Sequence, residues 1–401
     1  MASSTNFDVI IYLGQDWEGY HRQSMIKCFA KNIINNGKIL CIERPVCLVT
    51  SPILHTKKYF QWLALKRGIR QINHNLFIYT PMVVIHDHIA AFSSFLIGFN
   101  KKLLSYNIEK IAKRIHLNEK IRLAWFYDPI QVDWIGVAGE QYAVYECLDS
   151  IVEFSTSVVK KKLINKKEYL LVRRADVIFS TGEIEYLNKI KINPNTHYIS
   201  NGVDIKIFQK ALDEKTEVPS DLAKISTPRI GYIGNWSNHC DTDLLLEAAN
   251  EKPGWSFVLI GKVTLPSKEK EKIFKLPNIF YLGWKNYDLL PNYIKGFDLA
   301  ILPFRLNRLT ANADPLKTYE YMASGCPIIS TDIAQAKRFP DIVKVAKDKT
   351  EFIQIAEDLL RNSSGLKKLL VEEAKKYSWE KIIEQILNVL RRTLTQHVCC
   401  Q

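Results

Sequence analysis

The stretch Asp314-Pro315-Leu-Lys317-Thr-Tyr-Glu320-Tyr321-Met-Ala323-Ser-Gly325-Cys326-Pro327-Ile328-Ile-Ser-Thr331 constrains the fold of this chain more than any other. Pro315 suits the first turn of a helix, where a missing N–H costs nothing. Gly325 fits the cap at the far end of that helix. After Pro327 the run Ile328–Thr331 predicts a buried strand. Upstream, Asp298–Phe304 predicts another, and it ends in an irregular loop over Arg305–Asp314. Strand, loop, helix, strand is the βαβ plan that brings a helix N-terminus to the carboxyl edge of a parallel sheet, where a phosphate can bind. Lys317 and Glu320 lie three positions apart and share one helix face. A cation there suits a diphosphate, and a carboxylate suits the hydroxyls of a ribose. An ordinary solvated ion pair would use the same spacing.

The same alternation runs through the chain. Phe7–Leu13 is an apolar strand delivering Gly14-Gln-Asp16-Trp17-Glu-Gly19 to a helix that starts near Tyr20 and carries Met25, Ile26 and Phe29. This loop lacks GxGxxG, but the first βα loop of a doubly wound sheet faces the ligand crevice. Further strands are predicted at Leu76–Thr80, Ile121–Tyr127, Tyr142–Glu146, Val177–Ser180 and Thr196–Ser200, with helices over 90–115 and 155–174. Asp128 and Asp149 each follow a strand end. Residues 45–75 resist assignment. Residues 209–228 lose apolar periodicity and include Pro219 and Pro228, which predicts a linker between domains at 1–208 and 229–375. Arg229–Gly234 restarts a Rossmann-like half, with Asn235–Asn238 as its first loop. Ser378-Trp379-Glu380 opens a last amphipathic helix within 376–401. Repeated βα units argue an α/β protein of two doubly wound domains.

A length of 401 residues supports two full cores. The excess of 55 Lys+Arg over 42 Asp+Glu, a net +13, points to an acidic partner. No basic block with interleaved aromatics appears, so nucleic acid is not expected. Trp62, Lys66, Arg67 and Arg70 form a basic segment suited to an anionic membrane surface. The start MASSTNFDVII has no basic region followed by an apolar core, and no apolar run approaches the ~20 residues of a membrane span. A cytoplasmic protein, at most peripheral on the inner face of the plasma membrane, is expected. Eight cysteines without a CxxC read as reduced thiols. His86-Asp87-His88 lacks further ligands, and Asp241-Thr242-Asp243 opens a helix where acids favour the dipole. No metal and no cofactor are expected.

The run Pro315-x-Lys317-x-x-Glu320-Tyr-x-Ala-x-Gly325-x-Pro327 resembles the donor-site helix of GT-B fold glycosyltransferases. Arg173-Arg-Ala-Asp176-Val-Ile-Phe-Ser180, and Asn201-Gly-Val-Asp204 before Phe208, resemble the end of the N-terminal domain in the same enzymes. The likeness spans residues 7 to 345 and is strongest from 173 to 331. It is most specific toward bacterial members that build surface polysaccharide, such as those resembling xanthan glucuronosyltransferase or teichuronic acid transferases. It implies two Rossmann-like domains facing across a cleft, with a C-terminal helix returning to the first. It also implies a nucleotide-diphosphate sugar on the second domain and a glycan or lipid-linked acceptor on the first. By position, Gly234 and Asn235 would lie near the phosphates, Lys317 would hold the diphosphate and Glu320 the ribose. Gly14, Asp16 and Trp17 would form an acceptor-side loop.

Two positions depart from the family. Asn312 stands where the retaining pattern has a Glu eight residues before Glu320, and no Arg or Lys follows the Gly231 strand. Inversion is therefore expected, and inversion needs a general base. The Tyr145-x-x-x-Asp149 context resembles the acidic site of inverting relatives, so Asp149 is preferred and Asp128 stands second. A helix cap is an equal reading of Asp149. A sugar-nucleotide epimerase and a non-catalytic nucleotide- or lipid-binding scaffold remain alternatives, whereas the missing GxGxxG argues against a nicotinamide dehydrogenase.

Overall fold

Strands that are apolar along their whole length must be buried on both faces, and parallel sheets covered by helices meet that demand. The computed structural model describes residues 7–33, 37–47, 68–84, 93–117, 121–363 and 365–398. It divides into two units, the first of residues 1–199 with 383–401 and the second of residues 200–382. Trp62, Lys66, Arg67, the His86-Asp87-His88 triplet and Cys399-Cys400 lie outside the described residues.

The first unit contains strands β1 (Asp8–Tyr12), β2 (Ile39–Ile42), β3 (Val46–Cys47), β4 (Ile69–Gln71), β5 (Leu76–Tyr79), β6 (Met82–Val83), β7 (Arg122–Phe126), β8 (Tyr142–Cys147), β9 (Val177–Ser180) and β10 (Thr196–Tyr198). Its main sheet has the order β10-β9-β8-β7-β1-β2-β5-β4, with β3 paired to β6 apart from it. The main sheet is parallel except at its edge, where β4 runs antiparallel to β5. Strand order reverses at β1, so the loops after β1 and β7 emerge side by side. Helices Ser94–Arg114 and Val158–Arg174 pack on one side of this sheet. Their Leu104, Ile108, Ile111, Leu171 and Val172 share a buried cluster with Ile10, Tyr12 and Phe126. The last helix, Trp379–Val398, contributes its part from Ile383 onward to this unit, where the Asn195 amide donates to Thr393 Oγ1 at 3.2 Å.

The second unit holds β11 (Arg229–Ile233), β12 (Ser256–Ile260), β13 (Ile279–Gly283), β14 (Leu299–Leu302), β15 (Ile328–Thr331) and β16 (Val343–Ala346). All are parallel, in the order β13-β12-β11-β14-β15-β16, the doubly wound order in which direction reverses between β11 and β14. Residues 209–228, expected as a linker, carry short helices, and Leu222 and Ile225 enter the core of this unit. The Arg229 guanidinium fastens the segment by donating to the carbonyls of Ile225, Ala223 and Gly296. Apolar residues spaced too irregularly for a helical stripe are buried here by tertiary contact alone.

Candidate functional site

In the second unit strand order reverses between β11 and β14, the point where doubly wound sheets take ligands at the carboxyl ends of their strands. β11 leads into Gly234, whose φ of +147° is strained for any residue with a side chain. A Cβ at Gly234 would stand 2.0 Å from Lys317 Cε and 2.7 Å from its Nζ, so the lysine stem lies directly over this glycine. The neighbouring turn is as tight: Gly261 has φ +128°, and a Cβ there would meet the Gly234 carbonyl oxygen at 2.1 Å. Both glycines are needed because three chain segments converge at one point.

Lys317 belongs to helix Leu316–Ala323, and its ammonium stands 5.7 Å from the centre of the Tyr232 ring. The helix is fixed from several sides. Tyr321 accepts a hydrogen bond from the Ile233 N–H at 2.8 Å, and Tyr319 donates to Asp314 Oδ1 at 2.7 Å. Gly325 (φ +67°) ends it, with its N–H bonded to the Met322 carbonyl and that of Cys326 to Tyr321. At the other end Pro315 has no side-chain group with which to cap the first amides, and the Thr318 N–H turns back to the Pro315 carbonyl at 3.1 Å, which leaves the amides of Leu316 and Lys317 without a side-chain cap. Asp314 is buried and receives the Asn201 N–H at 2.7 Å, while the Asn201 amide donates to the Asp314 carbonyl at 2.6 Å. The Asn201-Gly202 segment thus holds the loop from which the helix starts. Burial raises the Asp314 carboxyl above the usual range, against the nearby Arg338 guanidinium at 3.6 Å.

Glu320 is only 7% exposed. Burial pushes its carboxyl up to about 7, opposed by the charge of Lys317 and a hydrogen bond with Tyr287. Asn235 is exposed and its Oδ1 accepts from Thr264 at 3.2 Å. His239, on the same loop, was not among the residues expected from sequence. Its Nδ1 lies 2.6 Å from Ser237 Oγ and its ring 5.7 Å from that of Phe304. Burial, aided by the Lys317 charge, lowers the imidazole to about 4, so it is neutral at pH 7. The only sequence signal for it was position on the first loop of the second half. Asn312 is buried in the short turn Thr310–Asn312 of the loop before the helix.

In the first unit, Gly14, Asp16, Asp128 and Asp149 all sit at carboxyl ends of the adjacent strands β1, β7 and β8. Gly14 (φ +68°) and Asp16 are exposed. Trp17 is buried, and its N–H donates to Glu43 Oε1 at 2.7 Å, which pins the loop from beneath. Asp128 caps the turn Pro129–Trp134, with Oδ1 accepting from Ile130 N at 2.9 Å, and Gln131 reaches back to the Tyr12 carbonyl at 3.1 Å. Asp149 is half-buried on a loop tied down through its backbone. Thr181 Oγ1 donates to the Leu148 carbonyl at 2.8 Å, and Cys147 Sγ approaches the Asp149 carbonyl at 3.7 Å.

Among the described residues one group of His, Cys, Asp and Glu side chains is close enough to share a cation: Cys147, Glu168 and Glu185. Lys189 already pairs with both carboxylates of that group, at 3.0 Å from Glu168. Asp241 serves as a helix cap, its Oδ1 accepting from Leu244 N at 3.0 Å.

The fold is that of GT-B glycosyltransferases, and residues 227–362 match the family described as glycosyl transferases group 1. Among curated proteins the chain is 25% identical over 244 residues to "Putative teichuronic acid biosynthesis glycosyltransferase TuaH" of Bacillus subtilis (strain 168), an alignment covering 58% of this chain and 60% of that protein. Among solved structures it is similar to Anabaena Alr3699/HepE in complex with UDP and glucose (TM-score 0.62, 15% identity, 95% of this chain and 98% of that one). It is also similar to sucrose-phosphate synthase from Thermosynechococcus elongatus (TM-score 0.69, 14% identity, 98% and 100%).

Proposed function

We propose that this protein is a glycosyltransferase that moves a sugar from a nucleotide-diphosphate sugar to a hydroxyl of a glycan or lipid-linked acceptor in polysaccharide biosynthesis. The observation that carries this reading is the convergence of Lys317, Gly234 and the uncapped start of helix Leu316–Ala323, with Glu320 buried one turn further on. A diphosphate would sit against the ammonium and the first amides of the helix, and Glu320 would accept hydrogen bonds from the ribose. The same cation and helix N–H groups would stabilise charge on the departing diphosphate, so no metal is needed for that step. The solved relatives with bound UDP or UDP-glucose support a nucleotide sugar as the ligand class.

The acceptor would bind to the first unit, where a carboxylate takes the hydroxyl proton as the oxygen attacks the anomeric carbon with inversion. Asp149 is the preferred base and Asp128 the second candidate. Asp149 is preferred for its Tyr145-x-x-x-Asp149 context, and Asp128, which caps Ile130, is the paired control. No helix among the described residues is long and apolar enough to cross a membrane. A lipid-linked acceptor would be met by peripheral attachment at the cytoplasmic face. Incubation with a panel of nucleotide sugars, followed by detection of free nucleoside diphosphate with and without lipid-linked glycan, tests the reading. Acceptor-dependent release supports it, and conversion of the sugar without release would instead identify an epimerase.

A further inference from the structure

The basic segment first expected to meet a membrane is a poor candidate in its described part, because Arg70 is already engaged by Glu18 and Glu43. A different surface of the first unit has the required chemistry. Helix Ser94–Arg114 buries Leu104, Ile108 and Ile111 against the sheet. Its opposite stripe, in steps of four, three, four and seven residues, reads Phe95, Phe99, Lys102, Tyr106 and Lys113. Phe95 is 77% exposed and Tyr106 69%. Lys102, Lys110, Lys113 and Arg114 are all exposed on this helix. Its one acidic residue, Glu109, is shared between Lys113 at 3.7 Å and Arg122 at 3.4 Å.

Helix Val158–Arg174 packs on the same side of the sheet and repeats the pattern. Val158 and Tyr169 are exposed in line with Lys162, Lys166 and Arg173, while its acidic Glu168 is bound to Lys189 and to the Tyr145 hydroxyl. Phe95 and Phe99, 77% and 52% exposed, stand one turn apart on the outward face of helix Ser94–Arg114, and neighbouring exposed rings rimmed by cations mark a site of interaction. Rings interleaved with long cations on a helix surface match the boundary between lipid headgroups and acyl chains. There the rings insert shallowly and the lysines meet anionic headgroups.

We propose that the outward faces of helices Ser94–Arg114 and Val158–Arg174 form the surface by which the protein lies on an anionic lipid bilayer. This gives a location to the membrane attachment proposed above and depends on no catalytic step, so vesicle binding and donor turnover can fail separately. The test is co-sedimentation of the full chain with vesicles of phosphatidylcholine alone or mixed with phosphatidylglycerol. The protein should pellet with the mixed vesicles, less so as salt is raised. Each surface lysine contributes about fivefold to such partitioning, so Lys102→Gln with Lys110→Gln should lower it on the order of 25-fold. Phe95→Ser with Phe99→Ser should also weaken it, with less dependence on salt. As a control, Lys268→Gln with Lys272→Gln removes the same charge from an exposed helix of the second unit and should leave partitioning unchanged. Circular dichroism verifies that every variant is folded. Equal pelleting with neutral and mixed vesicles would overturn the proposal. So would an equal loss in the control, or unchanged binding by the folded helix variants, which would point to total charge or to a partner of another class.

Discussion

Glu320 offers the sharpest test because one side chain links stability, pH and ligand affinity in calculable ways. Its carboxyl rises from an ordinary 4.5 to about 7 on folding, chiefly because burial disfavours the charge. The folded state therefore holds the proton more tightly than the unfolded chain. The resulting stability is fully present below about pH 4.5 and is lost as pH rises through 7, a difference of about 3 kcal/mol for a shift of this size. Glu320→Gln cannot ionise, so relative to wild type it should gain stability progressively across this window and level off above it.

Ligand binding should move the other way. A ribose donating its hydroxyls prefers the carboxylate, so affinity should climb between pH 6 and 8 by roughly tenfold, as the ionised fraction goes from about a tenth to nearly all. Glu320→Gln should remove that slope and weaken binding by roughly 10- to 100-fold at pH 8, the worth of hydrogen bonds to a charged group. The assays are urea unfolding and calorimetric titration with UDP-glucose, since its diphosphate diester does not titrate here as the terminal phosphate of UDP would. A wild-type affinity flat across this range, together with a variant as pH-sensitive in stability as the wild type, would refute the reasoning.

Other expectations are more direct. Gly234→Ala places a methyl 2.0 Å from Lys317 Cε and forces an unfavourable φ, so it should weaken donor binding about as much as Lys317→Ala although the lysine is retained. Calorimetry on the folded variants decides this, and unaltered affinity for Gly234→Ala would separate Lys317 from the diphosphate. Asp149→Asn should slow turnover by roughly 10²- to 10⁴-fold with donor affinity intact, while Asp128→Asn keeps more activity. The reverse ranking would move the base to Asp128, and a product that retains the donor's anomeric configuration would exclude an inverting base altogether. Activity should survive EDTA, measured as nucleoside diphosphate release. Loss reversed by magnesium or manganese would bring the acids at Asp241 and Asp243 back into consideration.

The sequence by itself determined the parts of this protein that depend on local periodicity. Apolar runs such as Asp298–Phe304 and Ile328–Thr331 announced buried parallel strands, and Pro315 with Gly325 bracketed the helix between them. The spacing of Lys317 and Glu320 placed both on one helix face. What that face meets was decided by tertiary structure. Lys317 crosses Gly234, eighty-three positions earlier in the chain, and Glu320 approaches Tyr287, so one lies over the first loop of the second half and the other is desolvated. The same holds for Asn201: its motif was legible as part of a family likeness, but its two bonds to Asp314 span a separation no local pattern encodes. His239 was missed because a histidine in a polar loop has no periodic signature, and its neutrality comes from burial and the charge of Lys317. Residues 209–228 looked like a linker for a related reason. Their apolar side chains follow no helical or strand period, and only the folded second unit supplies the core in which Leu222 and Ile225 are buried.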